Sequence, residues 1–296
     1  MASVGKRNSL ACGFACLIIA VTPGVSVGGE VAMHFERVGA KGGPPPDVIT
    51  TVYQDPTGFI WIGARDGLTR FDGHSFVVFE HDPADPTTIS DNAIRTVYED
   101  SRGNLWIGTN TGGLNRLDRA NWEFEHFRHD SGDPSSLSHD SIYAILEDRH
   151  GTLWVGTQQG LNRFDPETRT FRRLLADPAR SRSLSHDYVI TIYEDRDGRV
   201  WVGTLGGGLN RWNPETRDFT VFRHDSSDPS SIVDDSALAI SEDSRGGLWI
   251  GTSSGLSLMD RATGKFENFR PGESGLSDAL VTSLAAGTDD TLWIGT

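Results

Sequence analysis

Short runs of β-branched and aromatic residues alternate with polar turns along most of this chain. The pattern is clearest between residues 138 and 175, where four such runs follow one another. The runs are residues 142–146, 153–157, 161–165 and 170–175. Runs of this length and composition, bounded by Gly, Asp and Pro, are typical of β-strands. The pattern therefore predicts a unit of four strands.

This unit is repeated, and a Trp followed two residues later by Gly marks the second strand of every copy. The repeated tryptophans are Trp61, Trp106, Trp154, Trp201, Trp249 and Trp293. They are 45, 48, 47, 48 and 44 residues apart. A period in the forties with several short strands per repeat indicates a β-propeller, in which four strands form one blade. We predict an all-β fold of this kind.

Blade packing gives the repeated Trp and Gly a structural role. No blade can bury its own face alone, so neighbouring blades must stack. We expect each Trp to fill the wedge between two blades. We expect each Gly to leave room for an aromatic ring of a neighbour. Residues that recur in every repeat are interpreted, for the same reason, as parts of the scaffold.

The spacing predicts five complete blades and the start of a sixth. The complete blades lie at about residues 47–82, 90–130, 138–175, 185–225 and 233–270, and the partial one at 277–296. An open propeller ring exposes strand edges, and seven blades of this period need roughly 320 residues. We therefore expect residues 47–296 to be an incomplete seven-bladed propeller, a fragment of a longer protein that is poorly stable alone.

The N-terminal segment has the three-part layout of a secretory signal. Lys6 and Arg7 precede an apolar run of 12 residues, Leu10 to Val21, and small residues follow as far as Gly28. We predict a signal peptide at residues 1–28 and a lead-in segment at 29–46; the alternative is an uncleaved N-terminal anchor. Both cysteines of the chain lie in this stretch, so no disulfide or zinc framework can be built from them.

Composition and repetition narrow the classes of function. The formal net charge is −14 and the sequence has no basic patch interleaved with aromatic residues, which argues against nucleic acid as a partner.

Four pairs of adjacent acidic residues resemble catalytic carboxylates, but they recur at the same place in successive blades. The pairs are Glu99-Asp100, Glu147-Asp148, Glu194-Asp195 and Glu242-Asp243. We interpret them as turn caps.

A polar loop between blades raises the question of metal binding. Residues 129–136 have near copies at 81–88 and 224–231. The aspartates suggest calcium, but these loop sequences lack the ordered ligands and closing Glu of an EF-hand. His126 and His129 should face different sides of the chain, which disfavours zinc. Because the sequence also lacks phosphate-binding, dinucleotide and nucleophile-elbow motifs, we expect neither a metal nor a cofactor.

The departures from the repeat point to a binding surface. Two sets of loops differ in every blade: those that enter the first strand and those that join the second strand to the third. In a propeller both sets emerge at one mouth of the central channel, and variable polar loops on a rigid scaffold commonly bind ligands. The candidate ligand-binding residues are Arg65, Asp66, Asn92, Asn110, His139, Gln158, His186 and Tyr188.

Tyr188 is the strongest single candidate among them. Ser141 and Ser236 hold its place in the neighbouring blades. An aromatic ring at this position could stack on a sugar or a peptide group. The alternative is that these loops simply vary.

The repeat resembles a known family. Residues 98–109, which read Tyr-Glu-Asp-Ser-Arg-Gly-Asn-Leu-Trp-Ile-Gly-Thr, and residues 113–118, Gly-Leu-Asn-Arg-Leu-Asp, are similar to the two-component regulator propeller repeat. The resemblance covers roughly residues 47–296. It implies the periplasmic sensor region of a bacterial receptor. In such receptors seven-bladed propellers precede an immunoglobulin-like domain, a membrane helix and an output domain, which is a histidine kinase, a hybrid kinase or a diguanylate cyclase.

The resemblance also sets expectations for partners and location. We expect an unknown small molecule, an oligosaccharide or a protein as the ligand at the propeller mouth. The full-length receptor is expected to be a dimer anchored in the inner membrane, with this chain in the periplasm. The sequence contains no output-domain motif, so no enzymatic activity is assigned to these residues.

An enzyme is the alternative function. A lyase of streptogramin antibiotics has a similar Trp-Gly strand phrase on a seven-bladed propeller. Such an enzyme needs a His and a metal-binding acid together at one mouth, and His139 and His186 could contribute. These two residues, however, stand at equivalent places in adjacent blades, which favours a scaffold role. The predicted export signal also favours a sensor.

Overall fold

The structure is a computed structural model that describes residues 10–11, 48–287 and 291–296. Within these residues every regular element is a β-strand. The predicted signal peptide and lead-in segment lie outside the described residues, apart from β1 (Leu10–Ala11). This short strand pairs antiparallel with the first strand of blade 1.

The other strands form antiparallel sheets in chain order, and each sheet is one blade. Blade 1 contains β2 (Ile49–Gln54), β3 (Ile60–Ala64), β4 (Leu68–Phe71) and β5 (Phe76–Phe79). Blade 2 contains β6 (Ile94–Glu99), β7 (Leu105–Thr109), β8 (Leu114–Asp118) and β9 (Glu123–Phe127). Blade 3 contains β10 (Ile142–Glu147), β11 (Leu153–Thr157), β12 (Gly160–Asp165) and β13 (Thr170–Leu174).

The remaining strands continue the same order. Blade 4 contains β14 (Val189–Glu194), β15 (Val200–Thr204), β16 (Gly208–Asn213) and β17 (Asp218–Phe222). Blade 5 contains β18 (Ala237–Glu242), β19 (Leu248–Thr252), β20 (Gly255–Asp260) and β21 (Lys265–Phe269). A sixth sheet has two strands, β22 (Ser283–Ala286) and β23 (Leu292–Gly295). The all-β prediction of five four-stranded units plus the start of another is confirmed.

The repeated Trp fills the wedge between two blades, as predicted. Trp154 of blade 3 is 1% exposed and belongs to one cluster with Leu184, Val189 and Trp212 at blade 4. The rings of Trp154 and Trp212 meet edge to face, with centroids 5.5 Å apart. Trp293, which no further blade follows among the described residues, is 56% exposed. Each blade therefore depends on the next one for burial of its Trp.

The expectation for the Gly after each Trp is wrong in one respect. A Cβ atom at Gly108 would lie 2.7 Å from Cγ2 of Ile142, and one at Gly156 would lie 2.6 Å from Cγ1 of Val189. At these two glycines the space is filled by a β-branched aliphatic side chain that opens the next blade, and at Gly203 by Ala237, so in none of the three is it filled by an aromatic ring. Blades converge toward the channel, so close packing at the inner strands leaves no room for a ring.

The Asp of each acidic pair caps its turn and holds the Trp. In blade 3 the Oδ1 atom of Asp148 accepts hydrogen bonds from the backbone N–H groups of His150 and Thr152, each at 3.0 Å. Its Oδ2 atom accepts the indole N–H of Trp154 at 2.8 Å. The same indole bond is present in the other complete blades, at Asp55, Asp100, Asp195 and Asp243. The interpretation as a structural cap is confirmed.

The Glu of three of the four pairs, at positions 147, 194 and 242, links its blade to the preceding one. Glu147 of blade 3 accepts hydrogen bonds from the backbone N–H and the hydroxyl of Ser101 in blade 2. Glu194 of blade 4 accepts the backbone N–H of Arg149 in blade 3. Glu242 of blade 5 accepts the corresponding N–H of Arg196. In these pairs the Asp caps its own turn and the Glu forms a hydrogen bond to the neighbouring blade.

A guanidinium completes two of these blade contacts. Arg261 donates to Oδ2 of Asp195 at 3.0 Å and to Oε1 of Glu242 at 2.8 Å. Arg119 bonds Glu99 at 2.8 Å and lies 3.4 Å from Oδ2 of Asp55. Each arginine thus joins carboxylates of two adjacent blades.

Stability should fall steeply in acid. Burial alone would raise the pKa of Asp195, but hydrogen bonds from the Trp201 indole and the Arg199 N–H, together with Arg261, hold it below its usual value. The pKa values of Asp55 and Asp243 are lowered in the same way. A carboxylate whose pKa is lower in the folded state than in the unfolded state stabilises the fold at pH values above the unfolded pKa of about 3.9. This stabilisation is lost as the pH falls through the folded-state pKa. We expect the melting temperature, followed by circular dichroism, to drop below roughly pH 4; an unchanged value at pH 3 would contradict this.

Candidate functional site

The two sets of variable loops do meet at one end of the blades. The backbone N–H of Asn110 donates to the carbonyl of Ala93 at 2.8 Å, which joins both loops of blade 2. The N–H of Gly113 donates to the carbonyl of Asp140 in blade 3 at 3.0 Å. The corresponding bond of blade 3 runs from Gly160 to Asp187 at 2.7 Å. A chain of backbone bonds therefore holds this end of the blades together.

A β-bulge opens the first strand of every complete blade. In blade 3, Ile142 pairs with Thr157 and Ala144 with Gly156, so Tyr143 is the extra residue. The extra residues in the blades are Thr50, Arg95, Tyr143, Ile190 and Leu238. Bulges re-aim side chains and are common next to functional sites. Here they place one variable side chain per blade beside the mouth.

Four side chains form a continuous band across blades 2, 3 and 4, which we call the mouth cluster: Arg95, Asn110, Tyr143 and Tyr188. The Nε atom of Arg95 donates to Oδ1 of Asn110 at 2.8 Å. The guanidinium carbon of Arg95 lies 4.2 Å from the centroid of the Tyr143 ring, a cation–π contact.

Tyr143 in turn meets Tyr188 of blade 4. Their rings are edge to face with centroids 4.9 Å apart, and their hydroxyl groups are hydrogen-bonded. Burial, followed by the hydrogen bond with Tyr188, raises the pKa of Tyr143 to about 12. Its hydroxyl therefore stays protonated at neutral pH and can donate.

The two histidines at the mouth cap their own loops. The Nδ1 atom of His139 accepts the backbone N–H of Ser141 at 2.9 Å, and Nδ1 of His186 accepts that of Tyr188 at 3.1 Å. Burial lowers the pKa of His139, which agrees with a neutral ring that accepts at Nδ1. Its proton then lies on Nε2, so His139 can offer a donor but already uses its acceptor.

The other candidate residues have different surroundings. Asn92 accepts the backbone N–H of His81 at 2.6 Å, so it has a structural role in holding the loop between blades. Arg65, Asp66 and Gln158 are exposed. The structure therefore places Asn110 and Tyr188 in one band, linked through Arg95 and Tyr143. It leaves three candidates exposed and gives Asn92 and the histidines loop contacts.

Sequence reasoning missed two members of the mouth cluster, Arg95 and Tyr143. Both follow an apolar residue that opens the first strand, where the sequence pattern predicts ordinary strand residues. A signal was present: this second position differs in every blade, whereas the residue before it is always apolar. The bulge that gives this variation its meaning is visible only in the structure.

The mouth cluster carries chemical groups that are common in ligand-binding sites. It offers aromatic rings, a guanidinium, phenol hydroxyls and an amide, which can stack on and hydrogen-bond a polar molecule. Within the described residues no group of three or more His, Cys, Asp and Glu side chains could hold a metal ion. None of the described elements is a helix long and apolar enough to cross a bilayer.

Comparison with known proteins identifies the repeats. The model of the family described as "Two component regulator propeller" matches five segments of the chain, residues 43–66, 88–111, 136–159, 183–206 and 231–254. The chain carries two component regulator propeller repeats. Each match contains the first two strands of one blade and the mouth loops on either side of them.

Solved and curated relatives of the propeller point to signalling receptors. The extracellular domain of BT3049 from B. thetaiotaomicron, assigned as a hybrid two component system, is 25% identical with a TM-score of 0.67. The match covers 88% of this chain and 40% of that one. "Histidine kinase P4" of Formosa agariphila is 45% identical over 42 residues, which are 14% of this chain and 3% of the relative. The chain thus spans less than half the length of either relative.

The same fold is found in an enzyme. A virginiamycin B lyase from Staphylococcus aureus, solved with quinupristin, has a TM-score of 0.61. Its identity is 15%, and the match covers 82% of this chain and 75% of the lyase. At this identity the likeness concerns the fold alone, because one fold hosts many functions.

Proposed function

We propose that this chain is the ligand-sensing propeller of an extracytoplasmic receptor in bacterial signal transduction. The mouth cluster carries the proposal. Five blades share a nearly identical scaffold, yet only three of them contribute to this band of aromatic, cationic and amide groups. Asymmetric decoration of a symmetric scaffold is what selective recognition requires, since identical blades could offer only a symmetric ring.

The likeness to extracellular domains of two component systems supports the location and the receptor context. We propose that the protein is exported with residues 1–28 as its signal peptide and works in the periplasm. The output domain, a kinase or a diguanylate cyclase, would belong to a full-length receptor that is a dimer anchored in the inner membrane. The ligand would be a small molecule, an oligosaccharide or a protein that fits the channel mouth.

A lyase activity is not proposed. In both His139 and His186 the Nδ1 atom already accepts a hydrogen bond from a backbone N–H of its own loop. The two histidines also occupy equivalent capping positions that Asp91 and Asp234 fill in other blades. Their contacts are therefore explained by the loop geometry alone.

A thermal-shift screen tests the proposal, with a defined library of oligosaccharides, amino acids and short peptides as the probe. At least one compound is expected to raise the melting temperature of the wild type. Tyr188→Ala should abolish most of that rise, because it removes a ring and a hydroxyl from the mouth cluster, while leaving the unliganded melting temperature nearly unchanged. The loss should exceed roughly tenfold in affinity, since stacking and one hydrogen bond disappear together.

Glu167→Ala is the matched control, because Glu167 is exposed in the turn at the opposite end of blade 3. It should leave the rise intact. A rise that survives in Tyr188→Ala but disappears in Glu167→Ala would place the site at the other end of the blades. If none of the compounds shifts the wild type, the proposal of a soluble small ligand fails.

A further inference from the structure

The bulge residue of each complete blade holds the same place at the mouth, but its chemistry changes from blade to blade. The register around the bulge is identical in all five blades, and the first strands of successive blades pack against one another. Blades 2 and 3 contribute a cation and a phenol, Arg95 and Tyr143, whereas blades 4 and 5 contribute two aliphatic residues, Ile190 and Leu238. The mouth is therefore polar on one side and apolar on the other.

The apolar side has a third member in the loop after the second strand of blade 4. Leu205 stands where blade 3 has Gln158, and it is 37% exposed. Its N–H donates to the carbonyl of Tyr188 at 2.9 Å, and it pairs with Ser236 of blade 5. It therefore joins the mouth cluster to the next blade. It completes a patch that we call the apolar sector: Ile190, Leu205 and Leu238, of which the first and the last are half-buried.

Arg95 places a positive charge between two neutral partners on the polar side. Its Nε atom and one Nη atom donate to Oδ1 of Asn110, and its guanidinium covers the ring of Tyr143. The bonds to Asn110 use two of the five N–H donors of a guanidinium. Arg95 is also half-buried, and a charge in such a setting attracts an opposite charge more strongly than it does in open water.

The two tyrosine hydroxyls add a donor beside this charge. The hydroxyls of Tyr143 and Tyr188 are hydrogen-bonded to each other, and that bond uses one of their two O–H protons. The other proton can be donated to an acceptor outside the pair. A guanidinium and an O–H group in one band match the oxygens of a carboxylate, which accept charge-assisted hydrogen bonds.

The carboxylates of the mouth loops are bonded to the loops themselves. Asp140, Asp187 and Asp235 each accept the backbone N–H of a residue that follows an outermost strand, so they lie toward the outer rim of the blades. Asp91 and Asp234 accept N–H groups of their own loops. The bulge positions of the five complete blades, on the innermost strands, carry one charge, and it is positive. The inner mouth is thus cationic in a chain whose formal net charge is −14.

We propose that the mouth binds a small amphiphilic carboxylate, whose carboxylate group bonds Arg95 and the tyrosine hydroxyls while its aliphatic part packs on the apolar sector. This inference rests on the proposed sensing function and names the class of ligand within it. Charge pairing fixes one end of the ligand, and removal of aliphatic surface from water holds the other. A carboxylate alone or an aliphatic chain alone uses only one side of the mouth.

Calorimetric titration of the full chain with butanoate, hexanoate and octanoate tests the proposal, and hexan-1-ol is the uncharged comparison. Each added CH₂ group should strengthen binding by up to about fourfold as it is buried on the apolar sector. Hexan-1-ol should bind roughly tenfold or more weakly than hexanoate, because it lacks the charge-assisted bonds. An alcohol that binds as tightly as the acid, or an affinity that does not depend on chain length, would overturn the proposal.

Arg95→Gln tests the carboxylate end. The variant keeps an amide beside Asn110 but removes the charge, so all three acids should bind roughly tenfold more weakly. The gain in affinity per CH₂ group and the affinity for hexan-1-ol should not change. A variant that binds the acids as the wild type does would show that Arg95 does not hold the carboxylate.

Leu205→Gln tests the aliphatic end, because it gives blade 4 the residue that blade 3 carries. The gain in affinity from butanoate to octanoate should shrink, while butanoate should bind almost as before. Leu175→Gln is the matched control: Leu175 is 47% exposed but follows the outermost strand of blade 3, three strands from the channel. A chain-length dependence that disappears in Leu175→Gln and persists in Leu205→Gln would place the aliphatic part outside the mouth.

The thermal-shift library separates this inference from the proposed function. If a compound of that library raises the melting temperature but none of the three acids binds, this inference fails while the proposed function stands. If neither the library nor the acids bind, both fail together.

Discussion

Replacing Trp154 by Ala is expected to destabilise the protein by about 3–5 kcal/mol, the usual cost of a large buried aromatic side chain. The indole fills the wedge between blades 3 and 4, so its loss leaves a cavity that neither blade can close alone. A typical domain has a total stability of about 5–15 kcal/mol, so the variant should be partly unfolded at moderate temperature. Urea denaturation followed by circular dichroism measures the change.

Trp122→Ala is the matched control for this prediction. Trp122 is the same residue type but is 41% exposed, in a turn where its φ is positive. Its removal should change stability by less than about 1 kcal/mol, as for most surface substitutions. Equal losses in the two variants would mean that the blades do not depend on the Trp wedge.

Replacing Asp148 by Ala is expected to cost on the order of 3 kcal/mol, because three donors lose their acceptor at once. Two of the donors are turn N–H groups and the third is the buried indole of Trp154. Asp148→Asn should recover only part of the loss, since its NH₂ group would face the indole N–H. Urea denaturation of both variants gives the order of stability: wild type, Asn, Ala.

Asp165→Ala provides the comparison for Asp148. Asp165 caps an exposed turn of the same blade by accepting the N–H groups of Glu167 and Thr168, but it holds no indole. Its replacement should be far milder. Similar losses at Asp148 and Asp165 would show that turn capping, and not the Trp contact, gives the acidic pair its importance.

The scaffold could be predicted from the sequence because every complete blade buries a Trp at the same position and satisfies its indole N–H in the same way. Trp154 and its copies must be buried, and each indole N–H needs a hydrogen-bond acceptor. In every complete blade an Asp stands six residues before the Trp, and this spacing indicates both the buried ring and its acceptor. The strand bounds of blade 3 were correct to within one residue for the same reason, since turn residues and apolar runs alternate so regularly.

The mouth could be predicted only in part. Asn110 and Tyr188 lie in loops that visibly vary, so they were found. Arg95 and Tyr143 lie inside a strand, and only the bulge turns them toward Asn110 and Tyr188. The space beside Gly156 was likewise misjudged, because the sequence does not state how closely two inner strands approach. Contacts between blades depend on the curvature of the ring, which no local pattern encodes.

Hydrogen–deuterium exchange with the best compound of the thermal-shift screen tests the central claim most directly, because it locates the ligand on the blades. The account predicts slower exchange in peptides that cover residues 90–95, 108–112, 139–143 and 186–190, which build the mouth. Exchange that slows only in the turns at the opposite end, residues 100–104, 148–152 and 165–170, would contradict it.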